Sequence, residues 1–329
     1  DVCSSDLTEE TLATYDFISD DVLWQQVEQA NQAQKNWRKI DISKRILFVQ
    51  KLGQLLKERH EELAILATLE MGKPLAEAKL EVLKCARGCE YYAANAEAIL
   101  SPKSSIAETG KTVTINYEPL GVILGVFPWN FPFWQILRSA IPTILAGNTM
   151  LVKPAPNVPQ CSLAIQQLIN DCGLPQGVLQ IVFASPQQAA QILADNRVKA
   201  ATLTGSEKAG SAVASQAAKH IKKSVLELGG SDPFIVLDDA DLTATLNQAI
   251  VARFQNNGQS CIAAKRFILH RKIANEFLQQ LQQKVAALVC GNPQESSTQI
   301  GPLARLDLKE KLVQQVTTSI TQGRSEEHT

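Results

Sequence analysis

Cys261 is the strongest candidate in the sequence for a residue that carries out covalent chemistry. It follows a polar, glycine-containing loop and precedes a predicted strand, and loops beside rigid elements often carry catalytic groups. A cysteine attacks as its thiolate, which is a minor species for a free thiol at neutral pH, so the surrounding site must activate it. This pattern alone is weak, because most single cysteines are structural.

Two further side chains could assist such a thiol. Glu227 ends a predicted strand beside two glycines, where a carboxylate could act as a base on a thiol or on water; alternatively it is a solvated glutamate at a turn. Asn130 lies between Pro128 and Pro132, which restrict the local backbone. Its NH₂ group could therefore donate to a developing oxyanion; alternatively it is a buried turn asparagine.

Two segments are candidates for binding a dinucleotide. Lys153-Pro154-Ala155 ends one predicted strand, and Thr204-Gly205-Ser206, followed by Gly210, connects another strand to a helix. Backbone N–H groups at the start of that helix could bind pyrophosphate oxygens. The pattern is not the fingerprint G-x-G-x-x-G, so spacing alone indicates a cofactor site only weakly.

The elements that must position these residues alternate between helix and strand. Residues 20–98 have helical periodicity. Strands near 149–152, 179–183, 200–203 and 224–226 are separated by one helix each, which predicts a parallel sheet that binds ligands at the carboxyl ends of its strands. The segments 112–117 and 122–127 predict a β-hairpin.

We therefore expect two α/β domains, for which 329 residues are enough. The first covers residues 8–226 and includes the hairpin at about 111–127, and the second covers 227–323 and is incomplete. Residues 1–7 and 324–329 look unlike native protein sequence and are left out of the fold prediction. The natural protein is expected to continue beyond Gly323.

Composition excludes some classes of function. The net charge of −1 gives no indication of nucleic acid or of an anionic membrane as a partner, and no apolar run approaches the roughly 18 residues of a membrane span. The seven cysteines are scattered and odd in number, so we predict free thiols in the cytoplasm rather than a disulfide framework. Cys85 and Cys89 are expected to pack in the core, and no metal site is predicted.

Five motifs, in the order PWNFP, LVKPA, LTGSEKAG, LELGG and FQNNGQSC, make the chain resemble the aldehyde dehydrogenase family over roughly residues 20–323. The resemblance implies that Cys261 attacks the aldehyde carbon, that Asn130 and the Cys261 N–H bind the oxyanion, and that Glu227 activates the water that hydrolyses the thioester. It also implies a Rossmann-type NAD(P)-binding domain, an incomplete catalytic domain, an oligomerisation hairpin, and a homodimer or homotetramer as the full-length assembly.

The resemblance assigns cofactor contacts as well. The expected set is Pro128, Trp129, Lys153, Pro154, Ala155, Pro156, Gly205, Ser206, Gly210 and Leu228. Lys153 should bind the adenine-side ribose or a 2′-phosphate. NAD-preferring relatives often carry a glutamate at the position of Pro156, and its absence removes repulsion of that phosphate. We therefore expect NADP to be accepted, with NAD as the alternative.

Arg138 bears on the substrate. Semialdehyde dehydrogenases that act on succinate semialdehyde carry an arginine at the matching place, where it can bind the distal carboxylate. This predicts succinate semialdehyde or a similar short semialdehyde, although the second arginine that many of them carry is Gln255 here. The alternative for Arg138 is a surface salt bridge.

Other interpretations of the whole chain stay open. These are a broad-specificity or other short-chain aldehyde dehydrogenase, a CoA-acylating dehydrogenase, and a non-catalytic structural relative. Glu227, positioned to activate water, argues against the second, and intact Cys261, Glu227 and Asn130 argue against the third. The chain as it stands is also expected to be an inactive fragment, since the E-x-F-G-P motif of the family does not occur after Cys261.

Overall fold

The structure, a computed structural model, describes residues 2–5, 11–106 and 110–323. Strand β1 (Val2–Ser5) pairs antiparallel with β2 (Thr11–Tyr15). Residues 2–5 therefore belong to the described fold, although the fold prediction left out residues 1–7. Residues 1, 6, 7 and 324–329 lie outside the described residues, and the foreign origin of the two end segments stays a prediction.

Four helices follow, as the periodicity of residues 20–98 predicts: α1 (Asp20–Trp37), α2 (Ile42–Glu58), α3 (His60–Met71) and α4 (Leu75–Leu100). Each buries one face, because its apolar residues recur at three and four positions. On α4 this face includes Val82, Cys85 and Cys89, so the prediction that both cysteines pack in the core is confirmed. None of the described helices combines the length and the apolar character of a membrane span.

The predicted hairpin is wrong. Strand β3 (Lys103–Ile106) pairs antiparallel with β4 (Thr112–Ile115), and both strands are exposed along their whole length. Strand β5 (Val122–Val126) does not pair with β4 but lies in a parallel sheet with a neighbour on each side. Its uninterrupted apolar run is the physical reason, since a parallel strand covered on both faces has no polar side.

That parallel sheet is built from alternating elements. They are β5, α5 (Trp134–Leu145), β6 (Thr149–Lys153), α6 (Pro159–Asp171), β7 (Leu179–Ile181), α7 (Pro186–Ala194), β8 (Val198–Gly205), α8 (Glu207–Lys219) and β9 (Lys223–Leu228). The strand order is β7-β6-β5-β8-β9, and all neighbours are parallel. In this doubly wound order the chain first adds β6 and β7 on one side of β5 and then adds β8 and β9 on the other side. The switch point of the sheet therefore lies between β5 and β8.

Side chains of the sheet alternate between two apolar layers. Ile123 and Met150 face the layer packed by α2 to α6, whereas Leu124 and Leu151 face the layer packed by α1, α7 and α8. Burial on both faces holds the strand ends in fixed relative positions. The loops that leave those ends are positioned accordingly.

A second, smaller unit follows β9. It contains β10 (Pro233–Val236), α9 (Leu242–Phe254), a 3-10 turn (Gln255–Gly258), β11 (Arg266–Leu269), α10 (Ala274–Ala286) and α11 (Leu306–Thr321). Strands β10 and β11 are parallel, and Phe277 of α10 lies in their core cluster. The expected boundary between residues 226 and 227 falls inside β9, because the sheet pairing continues to Gly205 and Leu228.

The two units meet closely at Gly72, which ends α3, and Gly301. A side chain on Gly301 would place its Cβ 2.2 Å from the carbonyl oxygen of Gly72. Asn257 joins the same segments, because its Nδ2 donates to Gly72 O at 2.8 Å and its Oδ1 accepts from Gly301 N at 2.8 Å. Only glycine allows this approach of the two backbones.

We predict that Gly301→Ala lowers the free energy of unfolding by about 1–3 kcal/mol, because the backbone must shift to admit the methyl group. Urea unfolding followed by circular dichroism measures this. Gly230→Ala is the control: its Cβ has only an ordinary contact at 3.6 Å, and its effect should stay within about 0.5 kcal/mol. Equal midpoints for Gly301→Ala and the unchanged protein would contradict the close packing described for this contact.

Candidate active site

A cavity of about 450 Å³ lies where the strand order of the sheet reverses. The loop after β5 and the ends of β8 and β9 form one wall, and the segment after α9 together with α11 forms the other. Among the residues that line it are Asn130, Glu227 and Cys261. The structure therefore brings the three predicted catalytic side chains, which are far apart in the sequence, to one cavity at the carboxyl edge of the sheet.

Cys261 follows the 3-10 turn and is partly exposed in this cavity. Asn256 and Asn257 within the turn adopt left-handed backbone conformations, with φ of 59° and 56°. The segment is held on its other side by Lys265, whose Nζ donates to the carbonyl oxygen of Cys261 at 2.9 Å. The thiol thus lies on a loop whose main chain is restrained both before and after it.

Asn130 is held directly against the cysteine loop. Its Nδ2 donates to the carbonyl oxygen of Gln259 at 3.0 Å. An amide NH₂ group carries two hydrogens, so one remains for a ligand in the cavity. The main-chain carbonyl oxygen of Asn130 accepts a hydrogen bond from the side chain of Asn256 at 2.8 Å.

A buried carboxylate positions the segment after Asn130. The N–H groups of Phe133 and Trp134 both donate to Glu81 Oε1 at 2.9 Å, so Glu81 accepts the free donors at the start of α5. Lys73 forms an ion pair with Glu81, and the two side chains are 1% and 2% exposed. The Lys73 ammonium also lies 4.1 Å from the ring centre of Phe131. The charge of Glu81 is thus compensated inside the protein.

Glu227 is less restrained than the other two residues. Its side chain is 59% exposed, and its Oε2 lies 3.7 Å from Arg138 Nη2. The same Nη2 donates to Thr204 Oγ1 at 3.0 Å, and the Arg138 Nε is buried without a hydrogen-bond partner among the described residues. Arg138 thus contacts two residues of the cavity wall, Thr204 by a hydrogen bond and the mostly exposed Glu227 by an ion pair.

The predicted cofactor contacts fall into two groups. Pro128, Trp129, Gly205, Ser206 and Leu228 line the cavity. The other five, Lys153, Pro154, Ala155, Pro156 and Gly210, lie outside that lining.

Two residues of the second group have identifiable surroundings. Burial lowers the pKa of Lys153, whose Nζ donates to Pro154 O at 3.1 Å. It lies at the end of β6, beside the last residue of β5. Gly210 is a packing position, because a Cβ there would lie 2.6 Å from Leu228 Cδ2. Lys153 therefore stays at the carboxyl edge of the sheet, whereas Gly210 allows α8 to approach β9.

Several residues at the site were not identified from the sequence. Asn256 and its partner Glu77 on α4 make the contacts that hold the loops of Cys261 and Asn130 together. The dipeptide Asn256-Asn257 before Gly258 could have indicated a turn with left-handed backbone, because asparagine and glycine are the residues that tolerate this conformation. Nothing in the sequence pattern indicated Glu77. Within the described ranges, no cluster of His, Cys, Asp or Glu has the makings of a metal site.

Known proteins resemble the chain over most of its length. The sequence model that describes the aldehyde dehydrogenase family matches residues 1–327 of this chain. A probable NADP(+) succinate-semialdehyde dehydrogenase of Synechocystis sp. is 48% identical over 294 residues, which are 89% of this chain and 64% of that protein. The NAD(P)+ succinate semialdehyde dehydrogenase of Escherichia coli is 45% identical and covers 88% of this chain and 62% of its own length. The chain spans less than two thirds of the length of these two relatives.

Solved structures agree in fold. The succinic semialdehyde dehydrogenase of Streptococcus pyogenes, solved with NADP+, superposes with a TM-score of 0.95 at 33% identity and covers 98% of this chain and 71% of its own. The fold and the site define a doubly wound α/β protein with a thiol, an amide and a carboxylate at its switch point. The chain belongs to the aldehyde dehydrogenase family.

Cysteine reactivity follows from this arrangement. Burial raises the pKa of the Cys85 and Cys161 thiols, and it raises the pKa of Cys89 to about 12. We predict that iodoacetamide at about pH 8 modifies Cys261 and Cys290 in the native protein, since a reactive thiol must be accessible and able to ionise. The buried thiols that should stay unmodified are Cys85, Cys89, Cys161 and Cys172.

Peptide mass mapping after a timed reaction measures the labelling, and the same reaction in concentrated urea serves as the control in which all of these thiols react. Modification of Cys85 or Cys161 at the rate of Cys261 in the native protein would contradict the burial described for them.

Proposed function

We propose that this protein oxidises an aldehyde to a carboxylic acid through a covalent adduct on Cys261, with NADP or NAD as hydride acceptor. The observation that carries the proposal is the presence of Cys261, Asn130 and Glu227 on the wall of one cavity at the switch point of the sheet. Such a crevice is where doubly wound sheets bind dinucleotides.

The residues present fit a nicotinamide cofactor. Gly205 and Ser206 line the cavity where β8 leads into α8, so the first turn of α8, whose N–H groups can bind phosphate oxygens, begins at its wall. Lys153 supplies a cation at the end of β6, which lies on the other side of β5 from β8, and the exposed Pro156 brings no carboxylate that would repel a 2′-phosphate. The two relatives described above are named as NADP(+)- and NAD(P)+-dependent enzymes. We propose that NADP is accepted.

The chain's own residues would act in sequence. The Cys261 thiolate attacks the aldehyde carbon, and the carbonyl oxygen becomes an oxyanion that accepts from the free Asn130 Nδ2 hydrogen and the Cys261 N–H. The bound nicotinamide supplies the hydride acceptor that turns this adduct into a thioester. Glu227 then takes a proton from a water molecule, which attacks the thioester carbon, releases the acid and restores the thiol.

The experiment that tests this proposal follows cofactor reduction at 340 nm with succinate semialdehyde and with each cofactor. We predict that Cys261→Ser removes the activity and that Glu227→Gln lowers kcat by about 10²–10⁴-fold, the usual contribution of a general base. Cys290→Ser, an exposed cysteine outside the cavity, is the control and should leave kcat unchanged.

Two results would count against the proposal. Full activity in Cys261→Ser would remove the nucleophile from the mechanism, and a requirement for CoA would indicate thioester transfer instead of hydrolysis. A kcat/KM at least about tenfold higher with NAD than with NADP, a difference of about 1.4 kcal/mol, would reject the cofactor assignment.

We propose succinate semialdehyde as the substrate, with Arg138 binding its distal carboxylate. The relatives are named for this substrate, and Arg138, which lies outside the lining of the cavity, contacts two residues of that lining, Thr204 and Glu227. A homodimeric or homotetrameric assembly and a location in the cytoplasm stay predictions from the sequence.

Arg138→Ala should raise KM for succinate semialdehyde by about 10- to 100-fold, because a hydrogen bond to a charged group contributes about 1.5–3 kcal/mol. Butanal, an aldehyde of the same chain length without the carboxylate, is the control substrate and should show little change. Equal losses with both aldehydes would mean that Arg138 acts on Glu227 and not on the substrate.

A further inference from the structure

Asn256 lies at the centre of the contact between the cysteine loop and the Asn130 loop. It is completely buried, and it makes hydrogen bonds to Glu77 on α4, to the Asn130 loop and to Gln259 within its own loop. Its backbone N–H donates to Glu77 Oε2 at 2.5 Å. Its Nδ2 donates to Asn130 O at 2.8 Å and to Gln259 O at 3.1 Å.

The carbonyl oxygen of Gln259 completes a closed arrangement. It accepts from the side chains of both Asn256 and Asn130, at 3.1 Å and 3.0 Å. The side chains of Asn130 and Asn256 therefore share the carbonyl oxygen of Gln259, which belongs to the segment that carries Cys261. The Asn256 side chain also contacts the main chain of Asn130. Removal of that side chain leaves Asn130 O without its donor and Gln259 O with one donor instead of two.

The backbone of Asn256 is held in an uncommon conformation. Its φ of 59° and ψ of 41° are left-handed, and Asn257 repeats this with 56° and 29°. Such residues persist only where their surroundings determine them, and they cluster at functional sites. Here the carboxylate of Glu77, on α4, fixes the Asn256 N–H, so the conformation of the turn is set from the first unit of the protein.

On the basis of the function proposed above, we infer that Asn256 is a positioning residue that sets the distance between the Cys261 sulfur and the Asn130 amide. Glu77 holds the main chain of Asn256, and the Asn256 side chain holds the Asn130 loop. We call this the Asn256 bridge. It acts through other residues and touches no reacting atom.

Asn257 offers a matched comparison. It has the same residue type and the same backbone conformation, but its Nδ2 donates to Gly72 O and Pro302 O, at 2.8 Å and 3.0 Å. The bond to Gly72 joins the two units, the bond to Pro302 stays within the second unit, and neither reaches Asn130. Asn257→Gly and Asn256→Gly both keep a residue that adopts left-handed backbone freely, so they differ chiefly in which hydrogen bonds are lost.

Two reactions of the Cys261 thiol separate positioning from general structure. Iodoacetamide alkylates the thiolate by direct displacement of iodide, and no oxyanion forms. The activated ester 4-nitrophenyl acetate transfers its acetyl group to sulfur through a tetrahedral oxyanion, with release of 4-nitrophenolate, and so depends on the oxyanion donors. The ratio of the acylation rate to the alkylation rate therefore reports the distance between donor and nucleophile.

The experiment measures both rates at Cys261 by peptide mass, without cofactor, in the unchanged protein and in the variants. Asn256→Gly should lower acylation by about 10²-fold, the usual cost of a misplacement of about 1 Å, and should change alkylation by less than about threefold. Asn257→Gly should lower the midpoint of urea unfolding but keep the ratio. Glu77→Gln, which retains an acceptor for the Asn256 N–H, should keep the ratio, whereas Glu77→Ala should lower it.

Three outcomes would overturn the Asn256 bridge. They are an unchanged ratio in Asn256→Gly, whether or not both rates fall in parallel, an equal fall of the ratio in Asn257→Gly, and the loss of any difference between Glu77→Gln and Glu77→Ala. Absence of acylation at Cys261 in the unchanged protein would also overturn it, since no oxyanion would need positioning. Normal acylation without any aldehyde oxidation counts against the proposed function alone.

Discussion

Carboxylates on α3 and α4 bind backbone N–H groups of three other segments, and the geometry of the site depends on these contacts. Glu70 accepts from the first turn of α6, at 2.8 Å and 2.9 Å. Glu81 accepts from the start of α5, and Glu77 accepts from Asn256. The N–H groups at a helix start have no partner within the helix and carry partial positive charge, so a buried carboxylate there is stabilised. One pair of helices thus positions both loops that carry the nucleophile and its oxyanion donor.

The charges in this arrangement restrict how it can change. A buried carboxylate is tolerated only where it is paired and hydrogen-bonded, and Glu81 meets that condition through Lys73 and two N–H groups. Burial raises the pKa of Glu77, while its hydrogen bond from Asn256 and the charge of Lys73 lower it. The carboxylate of Glu77 is therefore less favourable than one in water, and the N–H of Asn256 and the charge of Lys73 offset part of that cost.

Most of the fold could be predicted from the sequence, because it follows from local patterns. The four strands predicted between residues 149 and 226 agree with β6, β7, β8 and β9 to within a few residues. The error at β5 has a local cause: a short apolar run fits a hairpin strand and a buried parallel strand equally well, and only its neighbours decide. The expected domain boundary between residues 226 and 227 lies within β9 for a related reason, because pairing with β8 extends β9 to Leu228. Which strands are neighbours in a sheet depends on residues far apart in the sequence, and the periodicity of a single segment does not reveal it.

The site shows the same division between local and non-local information, and also a division between rigid and movable groups. Cys261 and Asn130 could be selected from their loops, but the bonds that hold them together join residues more than a hundred positions apart, such as Asn130 and Gln259. Those two side chains are fixed because an oxyanion donor acts only at a set distance. Glu227 is different: it is mostly exposed, and two glycines follow its strand. In the proposed reaction its carboxylate acts on water only after the adduct has formed, so a restrained loop for the thiol and the amide beside a mostly exposed base fits the order of the steps.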